Sequence, residues 1–258
     1  MKLVIMLTAL ITALAICSNA NAQTQVVVGA YNFPPIAVVQ DSGQVEGLLA
    51  ELLTELNERQ GNYTFVAFAT SPKRRHRDFA DARYDVIFFE SDEWNWDSVP
   101  HQVTRPILKD EEVYIALDKP DRGQDFFDDI RSRRIVAMLG YHYGFTDGVT
   151  DEAELRERFD IELSHSHHRN IELILADRPS VAEVAVVSRS YLSLYFRNNP
   201  DQRDEFLVSH EVDQSYLLHA IARPDSPVSA ESLEDLIDRL MEDGVYQALV
   251  RSHGLQLP

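Results

Sequence analysis

Short apolar runs rich in branched and aromatic residues alternate along the chain with stretches whose apolar positions recur every three or four residues. Gln25 to Ala30, Tyr63 to Phe68, Val86 to Phe89, Val113 to Leu117, Arg134 to Leu139, Val184 to Val187 and Tyr216 to Ala222 read as strands. Leu48 to Leu56 puts its leucines on one face and its acids on the other, as an amphipathic helix does. Helices are also predicted from Ser71 toward Phe79, and over Phe126 to Arg133, Glu152 to Arg158, Arg169 to Ala176, Tyr191 to Arg197, Ser232 to Met241 and Tyr246 to Ser252. Gly244 stops one helix before the next begins. Pro34-Pro35, Asp41-Ser42-Gly43 and Asp118-Lys119-Pro120-Asp121 interrupt the pattern as turns or boundaries. Strands alternating with helices imply an α/β fold with mostly parallel sheets.

The stretch from Tyr84 to Asp97 organises the functional reading. Val86 to Phe89 is a buried strand that opens abruptly into Glu90-Ser91-Asp92-Glu93-Trp94-Asn95-Trp96-Asp97, which holds both tryptophans of the protein. Ligands of open parallel sheets sit beyond the carboxyl ends of the strands. This segment therefore reads as one wall of a binding cleft. The alternative is an ordinary loop with solvated acids and with indoles covering the core edge. Tyr31 and Phe33 fall just past the carboxyl end of the first strand.

Lys2, the apolar run Leu3 to Ile16 and the small residues Ala20-Asn21-Ala22 have the order of a secretory signal peptide over residues 1–22. The expected location is periplasmic. Cys17, the one cysteine, lies inside that leader, so no disulfide or thiolate site is expected after its removal. A formal net charge of −18 argues against nucleic-acid and anionic-membrane partners.

The order of features resembles the family 3 bacterial solute-binding proteins, the periplasmic components of amino-acid-type ABC importers. Val28-Gly29-Ala30-Tyr31 with Pro34-Pro35, then Gly43 and Gly47 before a helix, is the first point of likeness. Tyr84-Asp85-Val86-Ile87 reaching Val103-Thr104-Arg105-Pro106, the strand Ile135-Val136-Ala137 ending at Gly140, Ile171 to Ala176 before Val184 to Val187, and Leu240 to Tyr246 follow in order. The resemblance implies the two-lobe, type II periplasmic binding protein fold with the ligand between the lobes. Lobe one would comprise 23–117 and 213–258, and lobe two 118–212. A small-molecule ligand, an ABC permease or membrane sensor as partner, a monomeric state and no cofactor are likewise implied.

Departures from the family pattern define the candidate site. The arginine that grips a ligand carboxylate in amino-acid binders falls on Asp97, and two small contact positions fall on Glu90 and Asp92. The lobe-two acid that holds the ligand's ammonium falls on Ser188. Glu90, Asp92 and Asp97 with Trp94, Trp96, Tyr31 and Phe33 make a set suited to a cationic amine, through charge pairing and cation–π attraction. Arg74 would either bind an anionic ligand group or neutralise Glu90 or Asp97. Tyr141 and His142, in Gly140-Tyr141-His142-Tyr143, either close over the ligand or fill a turn. His165-Ser166-His167-His168 invites a metal reading, but adjacent side chains seldom converge on one ion, and no metal is expected. No catalytic residues are assigned. A receptor for an importer is the leading reading, a sensory module the second, and a lyase on the same architecture the third.

Overall fold

The computed structural model describes residues 23–258, and the expected leader lies outside them. The strands are β1 (Thr24–Ala30), β2 (Val38–Val39), β3 (Val45–Glu46), β4 (Tyr63–Ala69), β5 (Val86–Glu90), β6 (Gln102–Val103), β7 (Leu108–Leu117), β8 (Ile135–Met138), β9 (Ile161–Ser164), β10 (Val184–Ser188) and β11 (Phe206–Ala222). The helices are α1 (Leu48–Arg59), α2 (Arg75–Ala80), α3 (Glu152–Arg158), α4 (His167–Leu175), α5 (Arg189–Asn198), α6 (Ala230–Glu242) and α7 (Val245–Ser252). No helix among the described residues is long and apolar enough to cross a membrane.

The main sheet runs β4-β1-β5-β11-β7-β10-β8-β9, and β6 adds to β11. Its two ends are parallel: β1 pairs β4 and β5, and β8 pairs β9 and β10. Each end is the sheet of one lobe. The long strands β7 and β11 lie antiparallel between them and link the lobes. The leucines of α1 are buried against lobe one, and Ile171 and Ile174 of α4 are buried in lobe two.

Three local outcomes differ from the sequence pattern. Phe126 to Arg133 forms two 3-10 turns, Gln124–Phe127 and Ile130–Ser132, instead of one helix. The guanidinium carbons of Arg122 and Arg133 sit 4.0 and 4.1 Å from the Phe126 ring centroid, which suits a turn wrapped around that ring. Strand β11 begins at Phe206, well before the apolar run at Tyr216, because its first half pairs with β7 through two register shifts that disturb the alternation. Strand β9 is four residues long and was not signalled by any apolar run.

The lobes meet closely. Gly140 has φ +80°, and a Cβ there would lie 3.1 Å from Pro72 Cβ and 3.2 Å from Lys73 Cγ of the other lobe. Asp213 in β11 accepts the N–H groups of Gly144 (2.7 Å) and Phe145 (2.8 Å), tying the linking strand to the loop after β8. We expect Gly140→Val to cost at least about 1–2 kcal/mol from the left-handed backbone alone. Urea denaturation measures that loss, and small-angle scattering should show a larger radius as the side chain holds the lobes apart.

Candidate functional site

The site starts from a kink. Phe89 has φ 63°, and the pairing of β11 with β5 jumps from Glu90–His219 to Phe88–Ala220. Phe89 is therefore the extra residue of a β-bulge, which re-aims the side chain that follows it. Glu90 consequently points into the protein and is completely buried. Arg75, 2% exposed in the first turn of α2, donates from Nε to Glu90 Oε2 at 2.9 Å. Trp96 Nε1 donates to the same oxygen at 2.9 Å, and the Pro72 carbonyl accepts from Arg75. The guanidinium lies 5.4 Å from the Tyr31 ring centroid.

A narrow cavity adjoins this pair, lined by Tyr31, Phe33, Arg75, Trp94, Glu112 and the Gly140–His142 segment. Both lobes contribute. Aromatic rings form most of its wall: Phe33 meets Tyr141 edge-on at 5.6 Å and Trp94 at 6.1 Å, and Trp94 stacks on His142 at 5.9 Å. Polar contacts cross the cleft, among them a 3.5 Å approach of the Arg75 guanidinium to His142 Nδ1. Tyr141 Oη donates to the Asn32 carbonyl at 2.9 Å, His142 Nε2 lies 2.8 Å from the Asn95 amide, and Lys73 pairs with Glu152 at 3.1 Å. A wider, polar recess opens beside the cavity past Lys73, Asn95 and Glu152.

Electrostatics follow from burial. His142 is pushed down to about 3 by burial and then by the positive charges of Arg75 and His76, so its ring is neutral. Glu112 is held well above the usual carboxylate range by burial first, then by Asp110 and Asp213, against the opposing hydrogen bond from Tyr216. Asp110 is raised to about 6 by burial, with its bonds from Ser190 working the other way.

The structure brings Tyr31, Phe33, Trp94, Tyr141 and His142 together around the cavity. Trp96 lies behind them, fully buried, with its ring 5.1 Å from Phe79. Glu90 is beside the cavity but engaged by Arg75. Asp92 and Asp97 are placed outside the cavity on the exposed surface, because the loop turns at Asn95 (φ 62°). Asp92 approaches His219 at 3.8 Å. Arg74 also points outward, pairing with Asp78 at 3.4 Å, while its neighbour Arg75 enters the cleft. Ser188 is buried at the end of β10, opposite Glu112 of β7. Arg75 and Glu112 are the residues that the sequence reading missed. A helix turn separates the directions of Arg74 and Arg75 by about 100°, and only the one-residue choice between them was at stake. Glu112 sits in the acidic run Asp110-Glu111-Glu112, where strand alternation turns Asp110 and Glu112 inward and leaves Glu111 less buried.

The histidine run diverges. His165 is exposed, His168 pairs with Glu172 at 3.3 Å, and His167 is buried between Tyr141 and Tyr191. Neither ring nitrogen of His167 has a hydrogen-bond partner, and burial lowers its pKa to about 3. Among the described residues no group of three or more His, Cys, Asp or Glu side chains is arranged to hold a metal.

No protein-family model matches the sequence, and no curated protein aligns with it. Solved structures do match. A histidine kinase sensor domain with similarity to periplasmic binding proteins has 17% identity over 91% of this chain and 98% of its own, with a TM-score of 0.67. An ABC uptake transporter substrate-binding protein from Streptococcus pneumoniae with bound histidine has 14% identity over 89% and 92%, TM-score 0.68. A structure from the study of glutathione import through GshT and a cystine importer in Streptococcus mutans has 12% identity over 92% and 98%, TM-score 0.69. These likenesses show the two-lobe periplasmic binding protein fold.

Removing one partner of a buried ion pair leaves the other charge unmatched and costs about 3–5 kcal/mol. Arg75→Met should therefore lower the thermal midpoint by about 6–20 °C. Arg75→Met combined with Glu90→Leu should recover most of that loss in the same melt. His167 gives a separate expectation. The unfolded chain protonates this histidine below about 6.5, whereas the folded chain refuses the proton until about 3. The wild type thus loses stability through this residue as pH falls across that window. His167→Phe should gain on the wild type by up to about 1.4 kcal/mol per pH unit there, read from urea midpoints at successive pH values.

Proposed function

We propose that this chain is an exported, non-catalytic solute-binding protein that captures a small organic solute between its lobes and presents the closed state to a membrane partner. Lobe one is 23–117 with 213–258, and lobe two is 118–212. The observation that carries the reading is the cavity between the lobes, built from aromatic and ionisable side chains of both and spanned by the Tyr141–Asn32, His142–Asn95 and Lys73–Glu152 contacts. Such concave sites with a few placed polar groups are the usual form of small-ligand pockets.

The rings of both lobes leave little free space in the cavity, so a solute enters by parting the lobes. The wall favours an amine over a standard α-amino acid. Its one arginine is matched by Glu90, and the position of the usual ammonium-binding acid is Ser188. The partner is an ABC permease; a membrane sensor is the second reading, supported by the likeness to a kinase sensor domain. A permease gene or a kinase gene beside this one separates the two.

A thermal melt of residues 23–258 against polyamines, betaines, basic and acidic amino acids and aromatic acids tests the reading. A solute at 100 times its Kd adds about 2.7 kcal/mol, or roughly 5–10 °C at this chain length. That shift should disappear in Trp94→Ala and be accompanied by a change in tryptophan fluorescence. Absence of any shift across the panel would reject solute capture.

A further inference from the structure

We propose that Glu112 is the counter-ion for a primary ammonium group, which enters the cavity among Tyr31, Phe33, Trp94 and Tyr141. This rests on the solute-binding reading above and names the chemistry and the anchoring residue of the same site.

Glu112 lines the cavity and is 2% exposed. Its Oε1 accepts from Tyr216 Oη at 3.2 Å, but Oε2 has no hydrogen-bond partner. A buried carboxyl oxygen left unpaired is costly, and an N–H donor arriving in the cavity removes that cost. Glu90 also keeps one oxygen without a partner, yet its charge is already matched by Arg75. Arg75 in turn is engaged by Glu90 and by the Pro72 carbonyl, so the cation lining the cavity is not free for a ligand carboxylate.

The groups around Glu112 favour a cation. Asp110 on its own strand, Asp213 and Tyr216 on β11, and Tyr141 and Tyr143 after β8 are its acidic or phenolic neighbours, and Ser188 faces it from β10. Arg75 and neutral His142 complete the titratable lining. Burial, then Asp110 and Asp213, hold the resting carboxyl well above the usual carboxylate range, which favours its protonated form. An ammonium supplies both donors and positive charge: R–NH₃⁺ meets the Glu112 carboxyl, a charge-assisted bond forms to Oε2, and the carboxyl proton passes to solvent. The aromatic walls add cation–π attraction.

The test uses three probes with one stem: n-butylamine, 1-butanol and butyrate. Calorimetry on residues 23–258, in buffers of different ionisation enthalpy, should show butylamine binding about tenfold or more tightly than either counterpart. The observed enthalpy should change with buffer as a proton is released, and amine affinity should rise by up to about tenfold per pH unit. Glu112→Gln should lower amine affinity about tenfold or more and abolish the buffer dependence, with an unchanged near-ultraviolet circular dichroism spectrum. Should that variant not fold, proton release by the wild type decides. Preference for butyrate or butanol, no binding of the amine, amine binding without proton release, or undiminished binding by folded Glu112→Gln would each overturn the assignment. If any panel solute still shifts the melt, solute capture survives and only the role of Glu112 falls.

Discussion

The buried pair between Arg75 and Glu90 is the interaction on which the cleft depends. Two charges taken out of water cost several kcal/mol each, and attraction offsets this only when geometry and further hydrogen bonds are good. Here the further bonds come from Trp96 and from the Pro72 carbonyl. Each member also fixes a second element. Glu90 can reach inward because Phe89 adopts a left-handed bulge, and Arg75 can reach it because α2 begins one turn from Pro72. The pair thereby locks α2 to the end of β5 and holds a guanidinium against Tyr31 and near His142, where it helps keep that ring neutral. An isolated arginine in this place would draw anions into the cleft; one matched by Glu90 does not.

Much of the fold was legible because burial imposes periodicity. α1 shows its leucines at helical spacing, and the parallel strands β1, β5 and β10 show near-continuous apolar runs because both of their faces are covered. The reading failed where that constraint relaxes. The first half of β11 bridges two lobes and shifts register twice, so its side chains keep no strict alternation. The turns around Phe126 are held by guanidinium faces and not by an apolar stripe, which a helical pattern mimics.

The site was legible in its aromatics and less so in its charges. Tyr31, Phe33, Trp94 and Tyr141 are large apolar groups at strand ends, and such groups have few places to go except a cleft. Charged residues carry no comparable signal, since a carboxylate is equally at home in water or opposite a guanidinium. Asp92 and Asp97 lie on the exposed loop, whereas Glu90 of the same run is wholly buried, and the difference arises from one bulge and one left-handed asparagine. Neither backbone feature is marked in the sequence by glycine. Choosing Arg75 over Arg74 likewise depends on the phase at which α2 begins.

Closure itself has a modest energy. Tyr141–Asn32, His142–Asn95, the longer Arg75–His142 contact and Lys73–Glu152 are polar contacts across the cleft, the last of them between half-exposed side chains. At about 1 kcal/mol for a neutral hydrogen bond and less for an exposed ion pair, they sum to only a few kcal/mol. Ring contacts between Phe33 and Tyr141 and between Trp94 and His142 add to this. An incoming solute has to work against that sum, because it enters the open form and must regain closure around itself. Its apparent affinity is reduced by the fraction of molecules that are open. A ligand that satisfies an oxygen left unpaired in the closed state recovers free energy that closure alone does not supply. Glu112 offers such an oxygen on the cavity wall, since its carboxyl is buried, half bonded and not matched by a guanidinium as Glu90 is.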